Sequence, residues 1–387
     1  MSYAGFEKSS ILRRFAQSFA NGNSIPSAKE ASLTSDVIAA SELSEEMIAS
    51  WARMRATCGI ETPFFAPQFT KVVGEVRPQS KVAVLSRNGC NVGFLPFEFI
   101  NSTTIGPIAK GFNDAHGLIC SGSDPLNYAE VIKAIGVNAY RFHALAGPGV
   151  GAEPYIMGRT RSFLADLEGH PEGYVEFLES TRATIYKQRR KTKKMSKDLG
   201  PVRLEIDCRD EATFDKLIQL KRNQYQRTHL YDLLGVPWAT DMLRTLWREK
   251  QNACRGLLSV LYAGDELVAA HFGMIEGSLL HYWFPTYEPE YHAYSPGTAM
   301  FLEISKQAPG LGVKKIDLGC GEQAYKHKFV DTITEMPFGC IASSPITYYT
   351  ERSRLAVNFG LKRLPGKPTL KRVLRRCWPS FGKGSYV

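Results

Sequence analysis

Between residues 256 and 329 the chain alternates apolar runs and breaks in an order that leaves few foldings open. Residues 256–262 and 267–275 are apolar runs separated by Ala263-Gly264-Asp265-Glu266, which predicts two strands joined by a tight turn. Gly277-Ser278 turns the chain into a third run, 279–284. Ser295-Pro296-Gly297 then supplies a cap, a first-turn proline and a small residue ahead of Met300, Phe301, Leu302 and Ile304, the apolar face of a helix. Residues 314–318 return as a buried strand. Strand, helix and strand at this spacing make a crossover unit, so 279–284 and 314–318 lie side by side and parallel. The helix starts at the carboxyl end of the first strand, with unpaired backbone N–H groups and a partial positive charge. Ser295, Pro296, Gly297 and Thr298 are therefore expected to form a phosphate cradle, Gly297 letting an anion close to the backbone.

The unit closes on Gly319-Cys320-Gly321-Glu322-Gln323-Ala324-Tyr325-Lys326. This ending, the strand order and the Ser-Pro-Gly helix start resemble the GNAT acyltransferases. The likeness is to the two-lobed group that includes CelD-like cellulose and exopolysaccharide biosynthesis proteins and the FemAB-type transferases, and it is best over residues 174–336. The chain departs from the family's glycine-richer pyrophosphate loop, which is reduced here to Tyr294-Ser295-Pro296-Gly297-Thr298-Ala299. The resemblance implies an α/β (α+β) fold of tandem GNAT-like lobes, each a mixed twisted sheet flanked by helices.

An earlier stretch repeats the pattern in weaker form. Residues 81–85 and 91–99 flank Ser86-Arg87-Asn88-Gly89, and Asn-Gly between apolar runs marks a hairpin. Setting Val84-Leu85 over Val260-Leu261 brings Val92 over Val268, and a helix over 127–135 and a strand over 140–145 follow. The N-terminal copy is degenerate, lacking the Gly-Glu-x-x-Tyr-Lys ending; its one polar cluster toward a groove is Asp114 and His116, which also suit an ordinary polar turn. The expected divisions are a loosely ordered leader over 1–43, an N-terminal lobe over 44–170, a C-terminal acyltransferase lobe over 171–346 and a basic tail over 347–387. In the leader, Ile11, Leu12, Phe15 and Phe19 share a helical face beside Arg13 and Arg14, open to reading as a surface-binding helix or as a frayed end. Residues 171–199 read as one helix with Lys187, Arg189, Arg190, Lys191, Lys193, Lys194 and Lys197 crowding its polar side, which suits a solvated face or an anionic ligand. Another helix is expected over 211–234, its end rich in hydrogen-bonding rings.

Charge is concentrated rather than spread. Of the net +10, residues 351–387 carry +9, so the remaining 350 residues are nearly neutral. The eight cysteines form no Cys-x-x-Cys pair and no zinc-ligand spacing, so reduced thiols and no metal are expected. No apolar run approaches the roughly 20 residues of a membrane helix. The expected location is the cytoplasm, with peripheral contact at the inner membrane or with a synthase through the tail.

Acyl transfer from a thioester needs a polarised carbonyl, a base for the acceptor and a proton for the leaving thiolate. Glu322 is the expected base, Tyr325 the acid on the same helical face, and Lys326 a partner for that carboxylate or for phosphate; a plain helix start with an i, i+4 ion pair is the competing account. Asp317 needs a partner if buried, His281 or Lys314 being at hand. His271 is either a strand base or a satisfied core residue, and Tyr282 and Trp283 sit where the parallel strands are expected to part. The reading is transfer of an acyl group, foremost acetyl, from acyl-CoA to an amine or hydroxyl of a small molecule or a glycan precursor in polysaccharide or envelope biosynthesis. Two alternatives stay open: a FemAB-like transferase using aminoacyl-tRNA, the one case that calls for nucleic acid, and a non-catalytic subunit of a polysaccharide synthase.

Overall fold

The structure is a computed structural model that describes residues 32–250 and 253–363, with side chains of the last helix described to residue 355. Two hairpins anchor it. β2 (Ser80–Arg87) and β3 (Cys90–Asn101) pair across Asn88-Gly89, and β9 (Cys254–Ala263) and β10 (Glu266–Glu276) pair across Gly264-Asp265. Each hairpin leads into a third strand, then a helix, then a strand parallel to that third one. In the first half these are β4 (Thr104–Gly106), α3 (Tyr128–Ile135) and β6 (Ala139–Phe142), with the two-residue β5 (Ile119–Cys120) pairing β3. In the second they are β11 (Leu279–Tyr287), α8 (Pro296–Gln307) and β12 (Lys315–Cys320). The crossover read from the sequence is therefore present twice.

The halves close by exchanging strands. β7 (Ile156–Asp166) follows the first half in sequence yet pairs with β12, while β13 (Thr332–Ala342) follows the second half and pairs with β6; β7 and β13 pair with each other between them. With β1 (Thr34–Ala39) and β8 (Val202–Glu205) on the outer edges, the sheet runs β1-β2-β3-β4-β6-β13-β7-β12-β11-β10-β9-β8. The leader expected over 1–43 thus overlaps a strand, since 34–39 pairs antiparallel with β2. The Ile11–Phe19 pattern lies outside the described residues.

Helices cover the faces and join the halves. α1 (Glu45–Ala56), capped by Ser44, and α2 (Pro67–Val76) pack with α6 (Glu211–Arg227), capped by Asp210, and α7 (Pro237–Arg248) in one core that includes Trp51, Phe69, Phe214, Leu243, Trp247 and Phe272. On the opposite face α4 (Tyr174–Thr181), α5 (Ala183–Leu199) and α8 bury Leu178, Ile185, Met195, Phe301 and Ile304 against β9–β12. The single helix expected over 171–199 is two, since Arg182 adopts an extended backbone (φ −126°, ψ 100°) that α4 and α5 share as boundary. Likewise the helix expected over 211–234 stops at Arg227, and His229 takes a left-handed φ of 56° to turn the chain. The segment expected as tail from 347 opens inside α9 (Pro345–Arg363), where Glu351 accepts two hydrogen bonds of 2.7 Å from Arg141 of β6. Residues 364–387 lie outside the described residues. No helix among those described is long and apolar enough to cross a membrane.

Candidate active site

The site lies where β11 and β12 part. Their parallel ladder runs Leu279 to Lys315, Leu280 to Ile316 and His281 to Asp317, and ends there. The cause is a bulge: opposite β10, Met274 pairs His281 and Phe272 pairs Phe284, so Tyr282 and Trp283 together face Gly273 alone. A bulge bends its strand away from the neighbour and turns the side-chain alternation over. Pro285 does not end the strand; it stays in register with His271.

At the fork sits a buried polar cluster. His281, 1% exposed, shares a 2.9 Å hydrogen bond with Asp317 through Nδ1, and its Nε2 lies 3.7 Å from Asp114 Oδ2 with no hydrogen-bond partner among the described residues. Burial alone would raise the Asp317 carboxyl, but the His281 hydrogen bond and charge, the Gly319 N–H at 2.8 Å and Lys326 outweigh it and hold it below its ordinary value. Asp114 is pushed the other way: burial raises its carboxyl despite the opposing charges of His281 and Lys326. Gly319, at φ 71°, makes this approach possible, since a Cβ there would stand 2.3 Å from Asp114 Oδ2. Asp114 comes from the first half, where the sequence offered it with His116 as a polar cluster toward a groove or an ordinary turn. Its nearness to Asp317 shows only once the chain is folded, because the two are 203 positions apart.

A cleft of about 300 Å³ runs beside β11, lined by Tyr282, Pro285, Thr286, Tyr287, Tyr325 and Lys328 and floored by the start of α8. Ser295, Pro296, Gly297 and Thr298 all line it. Ser295 does not cap the helix with its side chain: it is left-handed (φ 53°), and its hydroxyl accepts from Lys191 of α5 at 2.7 Å. Thr298 Oγ1 accepts from Lys328 at 2.7 Å, and burial, then the nearby Lys191, pulls the Lys328 ammonium below its ordinary value. A Cβ on Gly297 would have only Tyr287 nearby, at 3.8 Å, so it would project into the cleft. Two lysines and a bare helix N-terminus thus converge on one spot, which is what a pyrophosphate requires.

The remaining candidates fall in different places. Tyr325 lines the cleft, and burial together with Asp114 pushes its phenol up to about 12. Glu322 lies on the outside, 56% exposed, paired with Arg161 of β7 at 3.2 Å and 3.7 Å from His327. Lys326 is buried and donates to the carbonyls of Gly319 (3.0 Å) and Cys320 (2.8 Å), so it fastens the loop and meets neither Glu322 nor the cradle. His271 is fully buried behind Tyr282, stacked on it at 3.9 Å; burial, then His281 and Lys221, hold it well below its ordinary value and neutral. Trp283, thrown to the other face by the bulge, packs on Phe64, Phe69 and Phe112. Asp317 finds His281 rather than Lys314, which pairs with Glu168. No group of residues suited to hold a metal occurs among the described residues.

Residues 179–327 match the family model described as an acetyltransferase (GNAT) domain. The second half has a GNAT-type fold. That match includes α5, the forked strands, the cradle and the Gly319–Lys326 ending. Among solved structures, the chain is similar to L-PGS from Bacillus licheniformis (10% identity, covering 80% of this chain and 96% of that one, TM-score 0.49). It is also similar to FemX (10%, 70% and 90%, 0.47) and to a tandem GNAT protein from the clavulanic acid biosynthesis pathway (11%, 81% and 99%, 0.46). No curated protein matches the sequence.

Proposed function

We propose that the protein is an acyltransferase that takes an acyl group, foremost acetyl, from acyl-CoA and delivers it to an amine or hydroxyl. The observation that carries this reading is the cradle: the open Gly297 backbone between Lys191 and Lys328, at one end of a cleft whose other end is the strand fork. Bound there, acyl-CoA supplies a thioester carbonyl activated for attack. Lys191, Lys328 and the α8 N-terminus would hold its pyrophosphate, and the unpaired β11 backbone beyond His281 would receive its carbonyl end.

At the fork Asp114 is the base. Burial raises its carboxyl above the ordinary value, which makes it a stronger base than an exposed carboxylate, and it is the one member of the cluster drawn from the facing half. As the acceptor's nitrogen or oxygen bonds to the acyl carbon, Asp114 takes its proton; as the carbon–sulfur bond breaks, the Tyr325 hydroxyl gives one to the sulfur. Asp317 holds His281 through Nδ1 at 2.9 Å, which aims Nε2 at Asp114 and so positions the base. The acceptor class follows the family likeness of the sequence: a glycan or envelope precursor.

Calorimetric titration with acetyl-CoA tests the donor. Binding to the parent and its loss in Gly297→Val, with the melting temperature kept, is the expected result; a variant that binds like the parent would sink the assignment. A second donor, aminoacyl-tRNA, is favoured by one feature, the exposed row Lys187, Arg190 and Lys194 that continues from Lys191 along α5. Tight RNA binding by the parent, with a steep salt dependence removed by charge reversal in that row, would turn the reading to it.

A further inference from the structure

Asp114 and His116 stand two apart in sequence, and the fold gives His116 a task of its own. The ladder from β6 to β13 ends at Phe142. The next two backbone N–H groups, those of His143 and Ala144, donate instead to His116 Nε2 at 3.1 and 3.3 Å. A ring nitrogen that accepts twice carries no proton, so the proton of His116 sits on Nδ1, which is buried and has no hydrogen-bond partner among the described residues. A buried donor left unpaired calls for a reason, and here the ring forgoes one bond to keep two with the backbone. His143 returns the contact. A carbonyl only accepts, so His143 Nε2 donates to the Asn113 oxygen at 2.9 Å, and the two rings lie 4.3 Å apart. The main chains are laced as well: the His116 N–H donates to the Ala144 carbonyl at 3.1 Å, and the Ala146 N–H to the His116 carbonyl at 2.8 Å. Asp114 is enclosed between these ties, held on one side through Asn113 and on the other through His116, with its carboxylate reaching across to Gly319 and His281.

Resting on the reading of Asp114 as the base, we infer that His116 and His143 are positioning residues, a reciprocal imidazole clasp that fixes residues 113–116 against the end of β6 and thereby holds the Asp114 carboxylate at the strand fork. A group that moves a proton at a reacting centre has to be held to within about 0.5 Å, and a loop has no ladder of its own to do this. The clasp stands in for one. It works only with His116 neutral, since an imidazolium would turn an N–H toward the two backbone donors. Burial, then the neighbouring His143, hold His116 well below its ordinary value and keep the clasp closed. Burial lowers His143 too, against the pull of the Asn113 carbonyl and the Asp114 charge. The other titratable groups around Asp114, which are His281, Asp317, Cys320, Tyr325 and Lys326, all come from the second half. The two histidines are what the first half adds to the site besides Asp114 itself.

The test uses the full chain and four variants, His116→Gln, His116→Leu, His143→Gln and His143→Leu. Gln reaches as far as Nε2 and can accept in place of His116 or donate in place of His143; Leu can do neither. Both replacements are uncharged, so the difference between them isolates the clasp. The Asp114 carboxyl is followed by carbon-13 NMR through a pH titration, its signal assigned by its loss in Asp114→Asn. Burial holds the parent's midpoint above 3.8. In the Leu variants the freed loop admits water to the carboxylate, and the midpoint should fall on the order of one unit below that of the matching Gln variant. Thiol release from acetyl-CoA, with water standing in for the acceptor, should slow roughly tenfold in the Leu variants and recover in the Gln variants, while acetyl-CoA affinity in calorimetry stays that of the parent. Equal midpoints in Leu and Gln variants overturn the inference, as does a lower melting temperature in the Leu variants with the Asp114 titration unmoved, which would make the pair ordinary packing. Should His116→Leu fail to fold, His143→Leu, which leaves both N–H groups after β6 paired, gives the reading alone. If Asp114→Asn cleaves acetyl-CoA as fast as the parent, the base reading falls instead, and a difference between Leu and Gln in the carboxyl midpoint still upholds the clasp.

Discussion

Two carboxylates change places between sequence and structure. Glu322 follows the strand end and has its Tyr and Lys at helical spacing, but the left-handed Gly319 and Gly321 rotate the chain so that it emerges beside Arg161. Glu322→Gln should therefore alter turnover by no more than about fivefold, the reach of an exposed ion pair. Asp114 was marked in the sequence only as half of a polar cluster with His116, which suits an ordinary turn equally. Asp114→Asn should lower turnover roughly 100-fold or more with donor affinity little changed. In the parent, turnover should rise with pH through an Asp114 value lying above 3.8, and that limb should vanish in the variant. Lys221 offers a test in stability. Burial brings its ammonium down to about 8, so the folded state resists the proton that the unfolded chain keeps up to 10.5. The penalty is complete below pH 8 and is relieved as pH rises toward 10.5. Lys221→Met should remove that rise in stability, seen as a flatter plot of denaturant midpoint against pH, and should gain about 1–3 kcal/mol at pH 7.

At the level of elements, what was legible had a local cause. The hairpins at Asn88-Gly89 and Gly264-Asp265 are written in their turn residues, and the start of α8 in Ser295-Pro296-Gly297. The start was right in position and wrong in detail: the Ser295 hydroxyl accepts from Lys191 and leaves the helix N-terminus bare. What was not legible depended on partners distant in sequence. The β11 bulge exists because β10 holds Gly273 opposite two residues, and no periodicity in 279–287 shows it. The break at Arg182 was hidden by a basic run that reads continuously as helix. Lys328 escaped notice because its part depends on Thr298 and Lys191 lying across from it. Lys328→Met should weaken CoA binding in titration while leaving pantetheine binding unchanged, as expected of a phosphate contact.

Across the whole molecule, the exchange of β7 and β13 makes the division at residue 170 a covalent convenience. A fragment of residues 171–346 would lose the partner of both β12 and β13, and should give a dispersed amide spectrum only when residues 32–170 are supplied. The closing helix packs on β13 and is tied to the first half as well: Glu351 accepts from Arg141, with Arg354 nearby. Glu351→Ala leaves a mostly buried arginine unpaired and should cost about 3 kcal/mol in urea unfolding.

That same exchange sets an order of events during synthesis. β7 is complete at Asp166, but its two neighbours are β12 and β13, the latter beginning at Thr332. At 5–20 residues per second a ribosome needs roughly 8–30 s to reach it. Throughout that interval the first half waits with an unpaired strand edge, the surface on which chains add to one another. The nascent chain should therefore be the stage most prone to aggregation, and the finished protein, with the seam closed, should lack that edge.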